Sequence, residues 1–159
     1  LHPETPEEGR DLTDLFAGRD SSLPGILARL EEVAATVDLP LARRTRTYNS
    51  RRAQELGKWA ESLGRGDPFR RAVYQAYFAQ GRNIARIEEL VRLAEGVGLV
   101  GEEARKVLRD GTWAGAVDAD WERSQKTGIT AVPTHIFQGR RLVGFAPYED
   151  FRELVEGAG

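Results

Sequence analysis

One stretch near the end of this chain restricts its fold more than any other: TGITAVPTHIFQGRRLVGFAPYEDFREL, Thr127 to Leu154. It is the only place where the sequence stops reading as helix. Val132-Pro133-Thr134 opens a short β-branched and aromatic run, Gln138-Gly139-Arg140 turns the chain, and Arg141 to Phe145 runs back. Pro147 then begins a final amphipathic helix. Proline lacks an N–H, so within a sheet it belongs at a strand's first position or on an edge. Pro133 directly before Thr-His-Ile-Phe therefore marks a strand entrance. The cis form of an X-Pro bond costs only about 0.5–1 kcal/mol, so a cis peptide is accessible there.

The hairpin predicts that more structure lies beside it. Thr134 and Ile136 point to one face, His135 and Phe137 to the other. Both faces are mostly apolar, and an isolated two-stranded hairpin is marginal in water. Phe151, Leu154 and Val155 on the last helix can cover one face. Between Asp11 and Thr127 the pattern predicts helices and no strand, so the missing strands are expected ahead of Leu1. The absence of Met and the large first residue fit a chain that does not start at its natural beginning. A strand–helix–strand unit needs about 30 residues or more, and Leu1 to Gly9 reads as the exit from such a unit.

The preceding region is a series of short helices joined by tight loops, a spacing typical of packed helices. Asp11 is positioned to cap a short helix carrying Leu12, Leu15 and Phe16. Ser21 and Ser22 precede Pro24, which suits a first helical turn. Ile26, Leu27, Leu30, Val33, Ala34 and Val37 then form one apolar face at helical period. Ala42 to Tyr48 is extended and basic and reads as a solvated connector. Asn49 or Ser50 caps the next helix, which runs to about Leu63 with Ala53, Leu56 and Ala60 inward. Asp67-Pro68 predicts an N-cap followed by proline at the first helical position. Phe69, Val73, Tyr74, Tyr77 and Phe78 follow as an aromatic core stripe. Further helices carry Ile87 to Val97, Glu102 to Leu108, and Trp113, Val117 and Trp121 on one face. Asp118, Asp120 and Glu122 spread around that last helix and read as a solvated face.

Composition narrows the function. The 159 residues are 40% hydrophobic and 30% charged, with a net charge of -2. The slightly acidic balance speaks against a general nucleic-acid binder. No apolar run reaches the ~18 residues of a membrane span. With no Cys, the chain has no thiolate nucleophile and no Cys-based metal site, and the residues offer no metal ligand set.

In order and spacing, LHPETPEEG, TYNSRRAQELGKWAE (Thr47 to Glu61), AYFAQGRNI (Ala76 to Ile84), LAEGVGL (Leu93 to Leu99) and GITAVPTHIFQGRRLVG (Gly128 to Gly144) resemble the DsbA-like thioredoxin-fold oxidoreductases, in particular their FrnE-like branch. The resemblance implies an α/β fold, a thioredoxin-like fold split by a helical insertion. Residues 1–10 would be the exit of a thioredoxin-fold strand, 11–127 the inserted helical domain, and 128–159 the C-terminal half. It implies a Cys-x-x-Cys ahead of Leu1 and places the family's cis-proline at Pro133, the residue at the catalytic centre. Val132 and Thr134 become substrate-binding positions. His135 stands where relatives carry an aromatic residue, and is expected as a partly buried polar residue of the strand. Gly144-Phe145-Ala146-Pro147 stands where relatives often read Gly-Ala-Gln-Pro.

The implied activity is exchange between a Cys thiolate and the disulfide of a protein or small thiol substrate, in the cytoplasm, with neither nucleic acid nor membrane as partner and a homodimer left open. No cofactor is expected in the chain itself. Two alternatives stand beside it. Glutathione-dependent isomerases or transferases of the hydroxychromene-carboxylate isomerase and kappa classes share the split fold, and their Asn-Ser or Asn-Thr helix start resembles Asn49-Ser50. In that reading glutathione is the cosubstrate and Asn49 binds substrate, whereas plain helix capping is the favoured role for Asn49. The other alternative is a non-catalytic helical binding module.

Overall fold

The computed structural model describes residues 4–18 and 23–157. It forms two compact units, Leu1–Val117 and Asp118–Gly159. Ser21 and Ser22 lie outside the described residues.

The first unit begins with a two-residue strand, β1 (Arg10–Asp11), followed by α1 (Leu12–Leu15) and α2 (Leu23–Thr36). A second short strand, β2 (Arg46–Thr47), pairs antiparallel with β1, Arg10 opposite Thr47. This ladder corrects the expectation that no strand lies upstream of the hairpin. Each partner is only two residues long, and they come from distant parts of the chain, so neither develops the alternation that marks a strand in sequence. It remains a two-stranded sheet of its own and adds nothing to the hairpin. Asp11 sits at the N-cap of α1 as expected, but its side chain makes no capping hydrogen bond.

Four helices build the core: α3 (Arg51–Ser62), α4 (Gly66–Tyr74), α5 (Ile87–Gly96) and α6 (Gly101–Asp110). α3 packs against α4, α5 and α6, and α5 also packs against α4 and α6. Leu56, Phe69, Leu90 and Val91 are fully buried at the centre, joined by Trp59, Ile84, Leu99 and Leu108. Burying each large apolar side chain contributes roughly 1.5–3 kcal/mol. Acidic residues open α5 (Glu88, Glu89) and α6 (Glu102, Glu103), where the helix dipole favours negative charge.

Three expectations change here. α4 starts at Gly66, so Asp67 and Pro68 lie in its first turn and Arg65 is the N-cap; the Asp67 carboxylate accepts from Arg70 Nη1 at 2.7 Å. The aromatic stripe divides. Gln75–Ala79 is a π-helical segment, with the Gln80 N–H bonding back five residues to the Gln75 carbonyl. The wider turn breaks the 3.6-residue register. Phe69 and Val73 stay buried and Tyr77 packs against the core, while Tyr74 and Phe78 are exposed. Finally, α2 buries no residue completely: Leu30 (47%) on its apolar face is exposed, and Val37 (46%), expected on that face, lies just past the helix end and is exposed too.

The second unit holds most of α7 (Ala114–Lys126), then β3 (Thr134–Phe137), β4 (Arg140–Val143) and α8 (Tyr148–Glu156). Asp120–Arg123 and Glu122–Lys126 pair along the α7 surface, a solvated face as expected. β3 and β4 form an antiparallel hairpin with Thr134 opposite Val143 and Phe137 opposite Arg140. Arg140 therefore belongs to the strand, and the turn is only Gln138-Gly139. Both turn residues have positive φ, 47° and 80°. That is the geometry of a two-residue turn whose twist matches the strands, and Gly139 supplies one of its positions without a Cβ. Arg140 Nη1 donates to the Glu153 carbonyl at 2.9 Å and the Leu154 carbonyl at 3.3 Å, satisfying acceptors at the end of α8.

Candidate functional site

The ladder register fixes which backbone groups of β3 are used. In an antiparallel pair, alternate residues exchange hydrogen bonds with the partner, and the residues between them turn their N–H and C=O to the other edge. The Gly144 N–H bonds to the Pro133 carbonyl at 2.8 Å, so Pro133, His135 and Phe137 face β4. Val132, Thr134 and Ile136 face the free edge. Among the described residues no hydrogen bond takes up the Val132 N–H or C=O. The Val132 side chain is 86% exposed, and the Val132–Pro133 peptide bond is cis. Thr134 Oγ1 donates to the Ala131 carbonyl at 2.7 Å, which closes the loop below the strand entrance.

α8 covers one face of the hairpin. The His135 ring meets the Phe151 ring edge-to-face with centroids 4.8 Å apart. His135 is exposed rather than partly buried: packing covers only part of its ring, because it lies on a two-stranded sheet. On the other face Ile136 (42%) and Val143 (56%) are exposed. Arg141 on that face donates to the carbonyls of Thr127 and Gly128 and ties the hairpin to the end of α7. The expectation of cover on both faces is met on one.

Asn49 belongs to the other unit. Its Oδ1 accepts the Arg51 N–H at 2.9 Å at the start of α3, and its Nδ2 donates to the Thr5 carbonyl at 3.0 Å. Ser50 is the N-cap and makes no side-chain capping bond, so Asn49, one residue earlier, satisfies the first N–H of the helix. Asn49 also lines an open cleft of about 200 Å³ with Thr5, Glu7, Arg51, Arg52 and Ala85. The two arginines there are engaged: Arg51 with Glu55 at 2.7 Å and the Ala114 carbonyl at 2.9 Å, Arg52 with Glu7 at 2.6 Å and the Ala85 carbonyl at 3.1 Å.

The cations of the basic stretch have partners within the unit, with Arg43 and Arg46 still exposed. Arg43 pairs with Glu31 at 3.0 Å, Arg46 donates to the Gly9 carbonyl at 3.2 Å, and the Arg44 guanidinium lies 4.2 Å from the Tyr77 ring centre. Among the described residues one carboxyl is held off its ordinary pKa, that of Glu88 on α5, paired with Arg105 on α6. The hydrogen bond from Arg105 holds Glu88 below the usual carboxylate range, and the same bond raises Arg105. Among the described residues no group of three His, Cys, Asp or Glu could hold a metal ion, and no helix is long and apolar enough to cross a membrane.

A hairpin with a proline-opened strand, backed by one helix and accompanied by a helical unit, defines a thioredoxin-type α/β protein with a large helical part. The chain belongs to the DSBA-like thioredoxin domain family, which it matches over residues 1–156. It is similar to a probable DsbA oxidoreductase from Streptomyces coelicolor, at 29% identity and a TM-score of 0.85, covering 99% of this chain and 71% of that one. The uncharacterised protein YwbO of Bacillus subtilis is 30% identical over 98 residues. That match takes in 61% of this chain and 49% of YwbO, so the chain spans about half the length of this relative. A crystal structure described as a candidate protein disulfide isomerase from Nitrosomonas europaea shares the fold, at 18% identity and a TM-score of 0.67 over 84% of this chain and 72% of that one.

Proposed function

We propose that this chain is the docking part of a thiol–disulfide oxidoreductase of the FrnE-like, cytoplasmic kind, whose redox Cys-x-x-Cys is contributed from outside these 159 residues. The observation that carries the reading is the free edge of β3 at Val132, with an unengaged N–H and C=O beside a fully presented apolar side chain. An extended substrate segment adds to such an edge by main-chain hydrogen bonds. Pro133 shapes the strand entrance, and Val132 and Thr134 present the backbone. The attacking thiolate forms a bond to one substrate sulfur, and the other substrate sulfur leaves as a thiolate. The second Cys thiolate then attacks the mixed disulfide and releases the first substrate sulfur as a thiolate. The edge at Val132 holds the segment in register during both displacements. A Cys at a helix N-terminus has the lowered pKa this exchange needs.

The test is dithiol-driven insulin reduction by the full-length protein, with and without Val132→Asp. Val132 is so exposed that the change should leave stability within about 0.5 kcal/mol. A charge in the apolar seat is expected to raise KM by roughly tenfold, about 1.4 kcal/mol of docking, with kcat retained. Absence of dithiol-dependent activity in the wild type overturns the oxidoreductase reading. Activity with an unchanged KM in the variant overturns the docking role alone.

A further inference from the structure

Two asparagines of the helical unit are used in the same way. Asn49 Oδ1 accepts the Arg51 N–H, and Asn83 Oδ1 accepts the Ala85 N–H, each at 2.9 Å. Each residue then turns its Nδ2 toward the segment that precedes β1. Asn49 donates to the Thr5 carbonyl at 3.0 Å and Asn83 to the Glu7 carbonyl at 2.8 Å. Two acceptors two residues apart are thus held from two separate parts of the unit.

The held segment is internally braced. The Gly9 N–H closes a turn onto the Pro6 carbonyl at 3.0 Å, and Arg46 holds the Gly9 carbonyl. Thr5 is only 5% exposed, although the residues around it face solvent. The Glu7 carboxylate reaches Arg52, which also donates to the Ala85 carbonyl. Thr5 and Glu7 are separated by a single proline, whose ring fixes φ. One contact therefore does not relax without loading the other.

We propose that Asn49 and Asn83 form a paired clamp, and that residues 5–9 are a strap which this clamp holds over the cleft at the start of α3 and which opens as one unit. Asn49 is in this assignment a positioning residue for the strap.

The strap contains exposed Glu7 and Glu8 and follows exposed Glu4, so glutamyl endopeptidase reads its opening bond by bond. Cleavage of a transiently opened segment follows the population of the open form when reclosing is fast. Asn→Asp keeps the oxygen that accepts the Arg51 or the Ala85 N–H, but removes the donor to the strap. Asn49→Asp and Asn83→Asp are each expected to speed cleavage by about fivefold, the effect of one lost hydrogen bond. The speeding should be equal after Glu4 and after Glu8, and the double variant should multiply the two factors. Asn49→Ser and Asn83→Ser repeat the loss without adding charge, and unchanged far-UV circular dichroism shows that α3 and α5 persist. Acceleration confined to Glu4 for the Asn49 variants and to Glu8 for the Asn83 variants overturns the single-unit strap. No acceleration in either, or acceleration in the Asp variants alone, overturns the clamp.

Discussion

Gly9 sits where the strap meets the β1–β2 ladder, and replacing it by alanine isolates a steric cost that can be worked from coordinates. Its φ is +82°, and a Cβ there would lie 2.5 Å from the Thr47 carbonyl oxygen and 2.6 Å from Tyr48 Cδ1. Neither neighbour is the loose end of a flexible chain: one is backbone, the other a ring in edge contact with Tyr77 at 6.4 Å. Left-handed φ costs a non-glycine residue roughly 1–2 kcal/mol. Forcing a methyl into an occupied site adds about 1–3 kcal/mol. Gly9→Ala should therefore destabilise the helical unit by about 3 kcal/mol, a fall in Tm of around 9 °C for a domain of this size. Gly64→Ala is the control, because Gly64 has φ +69° and nothing within 4 Å of its added Cβ. It should cost only the conformational part, about 1 kcal/mol. Denaturation followed by fluorescence reads both variants through Trp59, which is buried beside the core of that unit. Equal losses from Gly9→Ala and Gly64→Ala would refute the steric reasoning and leave backbone conformation as the whole effect.

The Glu88–Arg105 pair, with Nη2 to Oε2 at 2.6 Å and Nε to Oε1 at 3.1 Å, gives a pH signature. Because the folded carboxyl is lowered from its ordinary value of 4.5, its contribution is present above that value and fades as pH falls through the lowered one. Carboxyl titration by NMR should show Glu88 returning upward toward 4.5 in Arg105→Met; an unmoved midpoint rules the pair out as the cause. Arg44→Ala removes the guanidinium from the Tyr77 and Phe78 rings. It should cost about 0.5–1 kcal/mol in urea denaturation, and no loss of stability would mean that the arginine is a solvated connector residue after all.

Elements whose residues signal locally were legible in the sequence. The hairpin combines a proline entrance, β-branched residues and a glycine in the turn, and every one of these acts within four residues of the strand it marks. The α3 and α5 faces likewise follow a simple helical period through Leu56 and through Leu90 and Val91. What sequence could not supply was pairing at a distance. Arg10 and Thr47 carry nothing that announces each other, and the π-helical segment is invisible because Gln75–Ala79 has the composition of ordinary helix. At the candidate site, the strand entrance at Pro133 was readable from the residues, while the docking roles of Val132 and Pro133 came only from the family resemblance. The free edge was not readable, since it depends on which residues face β4. Asn83 read only as the lead into the helix from Ile87; the turn it makes onto Ala85, the same two-residue reach that Asn49 makes onto Arg51, has no signal in sequence beyond the asparagine itself.

The open edge of β3 also has a cost for the molecule in solution. Unpaired strand edges are templates for aggregation, because their free N–H and C=O groups can pair with another copy of the same strand. Val132, Ile136, Val143 and Phe145 all stand exposed around it. Arg141 interrupts that apolar surface opposite Ile136, and its guanidinium is anchored to the end of α7. A fixed positive charge in the middle of the open face is a gatekeeper: it discourages two hairpins from stacking face to face.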